Sequence, residues 1–511
     1  MVLNSILGHN GRDRTDQTSD QAPGCFADLA LDQIVEAIVG GRDEYNLRPF
    51  FYTPLNDPDA VRYRHQVMQD LDGQPLFQSV KTFAVAMRTV RSHLSQADKL
   101  HYRYQKMRWQ LSAGRTYCDA VTAFAQDLLQ TDLRSEGFRG LRDYLASYIR
   151  SAAFSALLAE TEALEADLAA LRYCLLIKPN SIQVKKYEGE EDYSLIVERA
   201  FERFKQGAVK DYRVKFQTGA TMNHIEAQIL EYVAQLHPDT FVALDEFCTR
   251  HAGFMDATIA TFDREIQFYV AYLEYMERFR RLGLAFCYPE VSSQDKDIRG
   301  ADCFDAALAT RLMVEQAQVV CNDFYLNGGE RILVVTGPNQ GGKTTFARMF
   351  GQMHFLASLG LPVPGRQARL FLFDHLLTHF EAEEDIANLQ GKLHDDLVRM
   401  HAIFDQATPR SIVILNEIFN STTIDDAIFL SKEILGRIVD LDCLCVCVTF
   451  IDELASLNEK TVSMVSTVAH DDPSVRTFKI VRRPADGLSY AITVAEKHGL
   501  TYRRLKERLA Q

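Results

Sequence analysis

VVTGPNQGGKTTF, residues 334–346, is the stretch that decides how this sequence folds. It contains the pattern G-x-x-x-x-G-K-[ST], preceded by the short apolar run RILVVT and followed by a helix-forming segment. Glycines allow successive backbone N–H groups to point inward at a phosphate, and the following helix adds its positive N-terminal end. The stretch therefore predicts a strand, a loop and a helix that together hold the phosphates of a nucleotide.

The predicted phosphate site covers the whole loop and the start of the helix. Its residues are Gly337, Pro338, Asn339, Gln340, Gly341, Gly342, Lys343, Thr344 and Thr345. The ammonium group of Lys343 is expected to reach the terminal phosphates, which gives Lys343 a catalytic role, and the hydroxyl of Thr344 is expected to ligate Mg²⁺. The predicted cofactors are therefore ATP and Mg²⁺.

A second apolar run, SIVIL at 411–415, ends in Asn416 and Glu417. In P-loop enzymes an acidic residue at the end of a neighbouring strand holds the Mg²⁺ shell, and a following Glu can activate water. Glu417 is therefore the candidate catalytic base, and Asn416 is the candidate metal-site residue. Because Asn416 is neutral, we expect weaker Mg²⁺ retention and slow turnover. The alternative is that the two residues only end a strand.

The two halves of the chain differ in pattern. Helical periodicity dominates up to about residue 305, whereas strands alternate with helices from about 306. Such alternation predicts a mostly parallel sheet with its ligand at the carboxyl ends of the strands. The predicted fold is multidomain, with a mainly α-helical domain at 25–305 and an α/β P-loop NTPase domain at 306–511. Residues 1–24 are polar and are expected to form a flexible tail.

Three segments carry clear helix signals. Asp57 and Pro58 suit the cap and first position of a helix. A leucine series with heptad spacings runs from Leu157 to Leu175. The strongest signal is an apolar stripe that predicts a helix from about 252 to 282, either as the core of a bundle or as a long antiparallel lever. The stripe consists of Ile259, Phe262, Ile266, Tyr269, Leu273 and Met276.

The composition, with 47% hydrophobic and 24% charged residues, is that of a soluble globular protein, and its sparse cysteines fit a cytoplasmic location. No apolar run approaches the ~18 residues of a membrane span, and the N-terminus lacks a signal-peptide core. Ten cysteines in 511 residues are too sparse for a disulfide scaffold. Cys443, Cys445 and Cys447 alternate along a predicted strand, CLCVCVTF at 443–450, and are expected to be buried and reduced.

A net charge of −13 disfavours an extensive nucleic-acid-binding surface but leaves room for a local basic patch. An interruption of the helical pattern at about 178–220 contains such a patch, between Arg199 and Lys215. Within 202–215, five basic residues stand against two acidic residues. The segment is either a solvated face or a contact with nucleic-acid phosphates.

The sequence resembles the MutS family of DNA mismatch-repair ATPases. TGPNQGGKTTF is close to that family's phosphate loop, and LNEIFNSTTIDDA resembles its second nucleotide-site motif. ASLGLPVPG, DGLSYAITVAEKHGL and YTPLNDPDAVRYR also resemble family segments. The resemblance implies a helical lever domain with a short clamp-like insertion, joined to an ABC-type ATPase that forms a homodimer. ATP would drive clamping on DNA, which the lever and the basic segment would contact.

Several positions depart from the family pattern. We expect neither a domain with the family's Phe-x-Glu mismatch wedge before the lever nor a nuclease domain after the ATPase. Asn416 replaces an aspartate, and Phe450 stands where the family has a histidine that senses the γ-phosphate. DIANLQGKLHDDL lacks the serine of the family's trans-acting loop, for which Asn388, Gly391 or Lys392 could substitute.

Three interpretations follow from these residues. The first is an ATP-driven, DNA-binding protein without the mismatch reader. The second is a nucleotide-gated regulatory or assembly protein that does not bind DNA. The third is a switch that binds nucleotide but is impaired in hydrolysis.

Overall fold

The computed structural model describes residues 5–8, 19–191, 193–202, 222–380, 391–469 and 475–485. The chain divides into two compact units. The helical unit comprises Gly73–Leu133 and Arg139–Asp263, and the sheet unit comprises the described parts of Leu3–Asp72, Arg134–Phe138 and Arg264–Gln511. This division differs from the domain boundary expected at 305, because the chain up to Asp72 and the chain from Arg264 onward fold together with the predicted NTPase region.

The elements are numbered along the described residues. The helices are α1 (Leu31–Val39), α2 (Arg48–Tyr52), α3 (Pro58–Leu71), α4 (Gln74–Lys99), α5 (Arg103–Gln130), α6 (Glu136–Tyr148), α7 (Ala152–Ala170), α8 (Tyr193–Glu202), α9 (His224–Leu236), α10 (Pro238–Arg250), α11 (Ala257–Arg280), α12 (Ala306–Val314), α13 (Lys343–Ser358), α14 (Lys392–Gln406) and α15 (Ile424–Asp440). The strands are β1 (Tyr173–Lys178), β2 (Ser181–Lys186), β3 (Phe286–Cys287), β4 (Glu290–Ser292), β5 (Ile298–Cys303), β6 (Asn322–Leu326), β7 (Ile332–Thr336), β8 (Val363–Pro364), β9 (Gln367–Phe371), β10 (Leu376–Phe380), β11 (Ile412–Asn416), β12 (Leu444–Val448), β13 (Thr461–Val468) and β14 (Arg476–Arg482).

The N-terminal residues 5–8 are packed into the sheet unit. Ile6 and Leu7 are buried, and the backbone N–H of Ile6 donates a hydrogen bond to the carboxylate of Glu265 at 2.8 Å. The expectation of a flexible tail was therefore wrong at these positions, because two adjacent large apolar side chains and a buried acceptor anchor them. The rest of the expected tail up to residue 18 lies outside the described residues.

The helical unit is built around the long helices α4 and α5, which three residues connect. Its core contains a stack of aromatic rings, with centroids 4.6 Å apart for Phe83 and Phe124 and 5.7 Å apart for Phe124 and Phe262. The carboxylate of Asp263, which is almost fully buried, pairs with Arg91. All six residues of the apolar stripe on α11 are buried, Ile259 and Phe262 in the helical unit and the four from Ile266 to Met276 in the sheet unit, which favours a core role for the stripe.

The predicted heptad series breaks where α7 ends at Ala170. The next residues form the hairpin β1–β2, in which Lys178 pairs with Ser181 across a turn containing Pro179 and Asn180. Leu175 therefore lies on a strand and not on a helix. The reason is local: the run YCLLIK is followed by Pro-Asn, which favours a turn and ends any helix before it.

The sheet unit contains a six-stranded sheet with the order β10–β11–β12–β7–β13–β14. The first five strands in this order run parallel, and β14 pairs antiparallel with β13. The expected mostly parallel sheet is therefore present. Cys443, Cys445 and Cys447 are fully buried as expected, and burial raises the pKa of the Cys443 thiol to about 11.

Helix α13 begins at Lys343, directly after the glycine loop, and ends at Ser358. Phe26 packs edge-on against Phe355 of this helix, with ring centroids 5.1 Å apart. Gly360, with φ +71°, follows the helix end. The segment before α1 thus helps to bury α13, which carries the predicted phosphate site at its N-terminus.

Asp57 caps α3 by accepting a hydrogen bond from the backbone N–H of Asp59, as its position before Pro58 predicted. Within the described parts of the chain, no helix is long and apolar enough to cross a membrane.

Candidate nucleotide site

The glycine loop connects β7 to α13 at the carboxyl edge of the parallel sheet. Gly337 has φ +113°, and a Cβ at this position would lie 2.9 Å from the backbone oxygen of Ser466. A Cβ on Gly341 would lie 2.3 Å from the Ser466 hydroxyl oxygen. Only glycine fits at these two positions, because β13 approaches the loop so closely.

Lys343 is the first residue of α13, and its side chain folds back over the loop. Only 4% of this side chain is exposed. Its Nζ donates hydrogen bonds to the backbone oxygen of Gly337 at 2.9 Å and to Oδ1 of Asn339 at 3.3 Å. Burial lowers the pKa of Lys343, and the nearby Glu417 carboxylate opposes that effect. The loop thus surrounds one buried cation.

Thr344 and Asn416 meet at the ends of α13 and β11. The Thr344 hydroxyl donates a hydrogen bond to Oδ1 of Asn416 at 3.0 Å. Asn416 is buried and lies opposite Val448 in the register of β11 with β12. The two side-chain oxygens are of the type that Mg²⁺ prefers, so this pair fits a magnesium site, although neither group carries a charge.

Glu417 follows directly in the chain and adopts φ +54°, which is uncommon for a residue other than glycine. Its backbone N–H donates to the oxygen of Val448 at 2.9 Å. Its carboxylate lies 3.8 Å from Nζ of Lys343, and 29% of the side chain is exposed. The carboxylate is thus fixed beside the loop while remaining accessible to water.

A cavity of about 650 Å³ opens in front of the loop. Gln340, Thr345 and Glu417 line it together with Gly341 and Gly342, while Pro338 is buried in the loop itself. The opposite side is formed by α12 and its cap residue, by the segment after α12 and by two strand residues. That side consists of Asp305, Leu308, Arg311, Leu312, Ala317, Gln318, Val319, Val320, Asn322 and Phe478. The cavity is therefore polar at the loop and largely apolar opposite it.

Three residues of the site's surroundings were not predicted from the sequence. Ser466 donates a hydrogen bond to the oxygen of Gly341 at 2.7 Å, and Arg476 donates from Nε to the oxygen of Asn339 at 3.2 Å. Asn322 holds β14 by donating to the oxygen of Phe478 at 3.2 Å and accepting from the N–H of Ile480 at 2.8 Å. No motif marks these residues; the pairing of β13 with β7 and with β14 brings Ser466 and Arg476 to the loop.

The other residues singled out from the sequence lie either at the edge of the site or outside the residues that the structure describes. Phe450 follows β12 with 45% of its surface exposed, and Gly391 and Lys392 begin α14. Asn388, the basic residues at 203–215 and the segment DGLSYAITVAEKHGL at 486–500 lie outside the described residues. The roles predicted for these segments therefore remain predictions.

A parallel sheet whose glycine loop leads into a helix with a buried lysine at its start defines an α/β domain of the P-loop class. Residues 333–508 match the family described as MutS domain V. Over this carboxy-terminal region, the chain is similar to the MutS family.

The similarity extends to individual proteins. A DNA mismatch repair protein MutS from Orientia tsutsugamushi is 32% identical over 220 residues, which is 42% of this chain and 24% of that protein. One from Zymomonas mobilis is 30% identical over 242 residues, which is 45% of this chain and 28% of that protein. One from Thermotoga sp. strain RQ2 is 32% identical over 184 residues, which is 35% of this chain and 23% of that protein. The alignments thus cover about a quarter of each relative.

Proposed function

We propose that this protein binds ATP with Mg²⁺ and hydrolyses it slowly. The observation that carries the proposal is the convergence of Lys343, Thr344 and Glu417 on one cavity of about 650 Å³, a volume suited to a small ligand, with Asn416 hydrogen-bonded to Thr344. The loop amides from Gly337 to Thr344 and the N-terminus of α13 bind the phosphates, and the largely apolar opposite side receives the rest of the nucleotide.

Each side chain has a distinct task in this proposal. Lys343 binds the β- and γ-phosphates through its ammonium group, and Thr344 and Asn416 hold Mg²⁺ through their oxygens. Bound Mg²⁺ supplies positive charge at the phosphoryl oxygens. Glu417 orients water and accepts its proton, since its carboxylate is held at the loop but is partly exposed. Because Asn416 brings no negative charge, Mg²⁺ is retained weakly and turnover is slow.

We further propose that the nucleotide controls DNA binding by a homodimer in the cytoplasm. The matched relatives are named DNA mismatch repair proteins, and the sequence between Arg199 and Lys215 has a local excess of basic residues. In this proposal, the helical unit serves as a lever with a clamp-like insertion, the sheet unit contains an ABC-type ATPase, and ATP drives clamping on DNA.

A second function is favoured by the net charge of −13 and by the neutral Asn416. In this alternative, the protein is a nucleotide-gated regulatory or assembly protein that does not bind DNA, or a switch with impaired hydrolysis. An acidic surface repels phosphates, and a metal site without charge disfavours rapid turnover. The DNA-binding proposal and this second function share the nucleotide site. They differ in the process that the bound nucleotide controls.

Two measurements test these proposals together. The first is calorimetric titration of the purified protein with ATP in the presence of Mg²⁺, for which saturable binding is expected. The second is DNA binding to duplex, branched and single-stranded DNA over a range of salt concentrations, with and without nucleotide. Absence of ATP binding would reject the nucleotide site. Saturable ATP binding without any binding to DNA would select the alternative.

A further inference from the structure

Two carbonyl groups of the glycine loop are held by side chains of the β13–β14 hairpin. Ser466 on β13 bonds the oxygen of Gly341, and Arg476 on β14 bonds the oxygen of Asn339. In a trans peptide, the N–H of the next residue points away from the carbonyl oxygen. The N–H groups of Gln340 and Gly342 therefore point away from the hairpin, and both residues line the cavity.

Arg476 occupies a well-supported position at the start of β14. The neighbouring Thr477 hydroxyl donates to the backbone oxygen of Thr467 on β13 at 2.9 Å. Farther along β14, the side chain of Asn322 on β6 forms hydrogen bonds with the backbone oxygen of Phe478 and the backbone N–H of Ile480. These contacts hold β14 on both sides of Phe478, and they give the Arg476 side chain a defined approach to the loop.

Two cations meet at Asn339. Nζ of Lys343 lies 3.3 Å from its side-chain oxygen, and Nε of Arg476 lies 3.2 Å from its backbone oxygen. Burial is the main cause that lowers the pKa of Lys343, the Glu417 carboxylate opposes it, and the charge of Arg476 adds a smaller lowering. Neighbouring like charges are unfavourable until an anion joins them, and the phosphates of a nucleotide are such an anion.

We propose that Arg476 is a positioning residue of the phosphate site: its hydrogen bond to Asn339 turns the loop amides toward the cavity, and its charge strengthens binding of the terminal phosphates. This inference rests on the proposed nucleotide site and assigns a part of that site to the hairpin. Arg476 acts through Asn339 and through its charge, and no bond is made or broken by it.

Two substitutions separate the hydrogen bond from the charge. Arg476→Gln keeps a side-chain donor and removes the charge, whereas Arg476→Lys keeps the charge on a shorter side chain. Affinities for ATP and ADP are measured by calorimetry with Mg²⁺ at low and high salt, beside thermal unfolding of each variant. Arg482→Gln is the matched control, because Arg482 lies on the same strand but pairs with Glu330.

We expect Arg476→Gln to weaken ATP binding about tenfold, to weaken ADP binding less, and to reduce the salt dependence of ATP binding. Arg476→Lys should restore most of the affinity, and Arg482→Gln should bind ATP like the unchanged protein. The inference is overturned if Arg476→Gln, folded normally, binds ATP as tightly as the unchanged protein. It is also overturned if Arg476→Gln lowers the affinities for ATP and ADP equally and Arg476→Lys restores neither affinity. Failure of the unchanged protein to bind ATP would instead reject the proposed function itself.

Discussion

The hydroxyl of Thr344 donates a hydrogen bond to Oδ1 of Asn416 at 3.0 Å, and this contact joins the start of α13 to the end of β11. The two residues are 72 positions apart in the sequence, and both are neutral. An oxygen pair at this place suits Mg²⁺, but the missing negative charge limits how strongly the ion is held.

Asn416→Asp adds that charge without changing the size of the side chain. The Thr344 hydroxyl can still donate to the carboxylate, so we expect normal folding. Mg²⁺ affinity of the ATP-bound protein should rise on the order of tenfold, equivalent to about 1.4 kcal/mol, and turnover should increase. Magnesium titrations of ATP hydrolysis measure both quantities. Asn458→Asp, in the turn where Asn458 accepts from the N–H of Lys460, is the control and should change neither. Unchanged magnesium dependence in Asn416→Asp would argue against this metal site.

Lys343→Ala removes the buried cation of the loop. We expect ATP affinity to fall by roughly 100-fold or more, because charge-assisted hydrogen bonds to phosphate are lost. Calorimetry with Mg²⁺ and ATP measures the loss, and thermal unfolding checks that the variant is folded. Lys432→Ala is the control, since Lys432 is exposed and lies 3.5 Å from Glu453. Retention of ATP affinity in folded Lys343→Ala would contradict the proposed phosphate site.

Glu417→Gln keeps the shape of the side chain and removes its basicity. If Glu417 is the general base, ATP turnover should fall about 10²- to 10⁴-fold while ATP affinity is retained. Single-turnover hydrolysis and equilibrium binding, measured on the same preparation, separate the two effects. Glu433→Gln on the exposed face of α15 should leave both unchanged. Equal and negligible turnover in the unchanged protein and in Glu417→Gln would instead identify a hydrolysis-impaired switch.

His354 gives the sheet unit a specific sensitivity to acid. The ring is fully buried in α13, its Nδ1 lies 2.8 Å from the oxygen of Phe350, and burial lowers the pKa of His354 to about 4. An unfolded histidine takes up a proton near pH 6.5. The stabilisation by the neutral ring is therefore complete above about pH 6.5 and is lost as the pH falls toward 4.

His354→Phe should remove this component of the pH dependence, which amounts to at most about 3 kcal/mol of unfolding free energy. Denaturant unfolding at pH 7 and pH 5 measures it. Relative to the unchanged protein, His354→Phe should lose less stability between the two pH values. His401→Phe, at an exposed position of α14, should lose as much stability between pH 7 and pH 5 as the unchanged protein does. An identical loss in all three proteins would show that His354 does not contribute.

Local pattern predicted a large part of the site. The glycine spacing predicted the loop, and the runs RILVVT and SIVIL predicted β7 and β11 because buried parallel strands are short and apolar. Asn416 and Glu417 were expected at the end of their strand, where the structure places them. The leucine series was misleading after Ala170. Heptad spacing alone does not distinguish a helix from strand β1, which ends at the turn containing Pro179 and Asn180.

By itself, the sequence determined the parts whose physics is local: the phosphate loop between a strand and a helix, the cap at Asp57 and the alternating buried cysteines at 443–447. Tertiary structure alone decided which distant residues meet them. Ser466 and Arg476 reach the loop only because β13 pairs with β7 and β14 pairs with β13. Ile6 joins the sheet unit through residues distant in the sequence, since its backbone N–H donates to Glu265 and its backbone oxygen accepts from Tyr269. Such contacts depend on strand register and on the burial of distant segments, which no short stretch of sequence encodes.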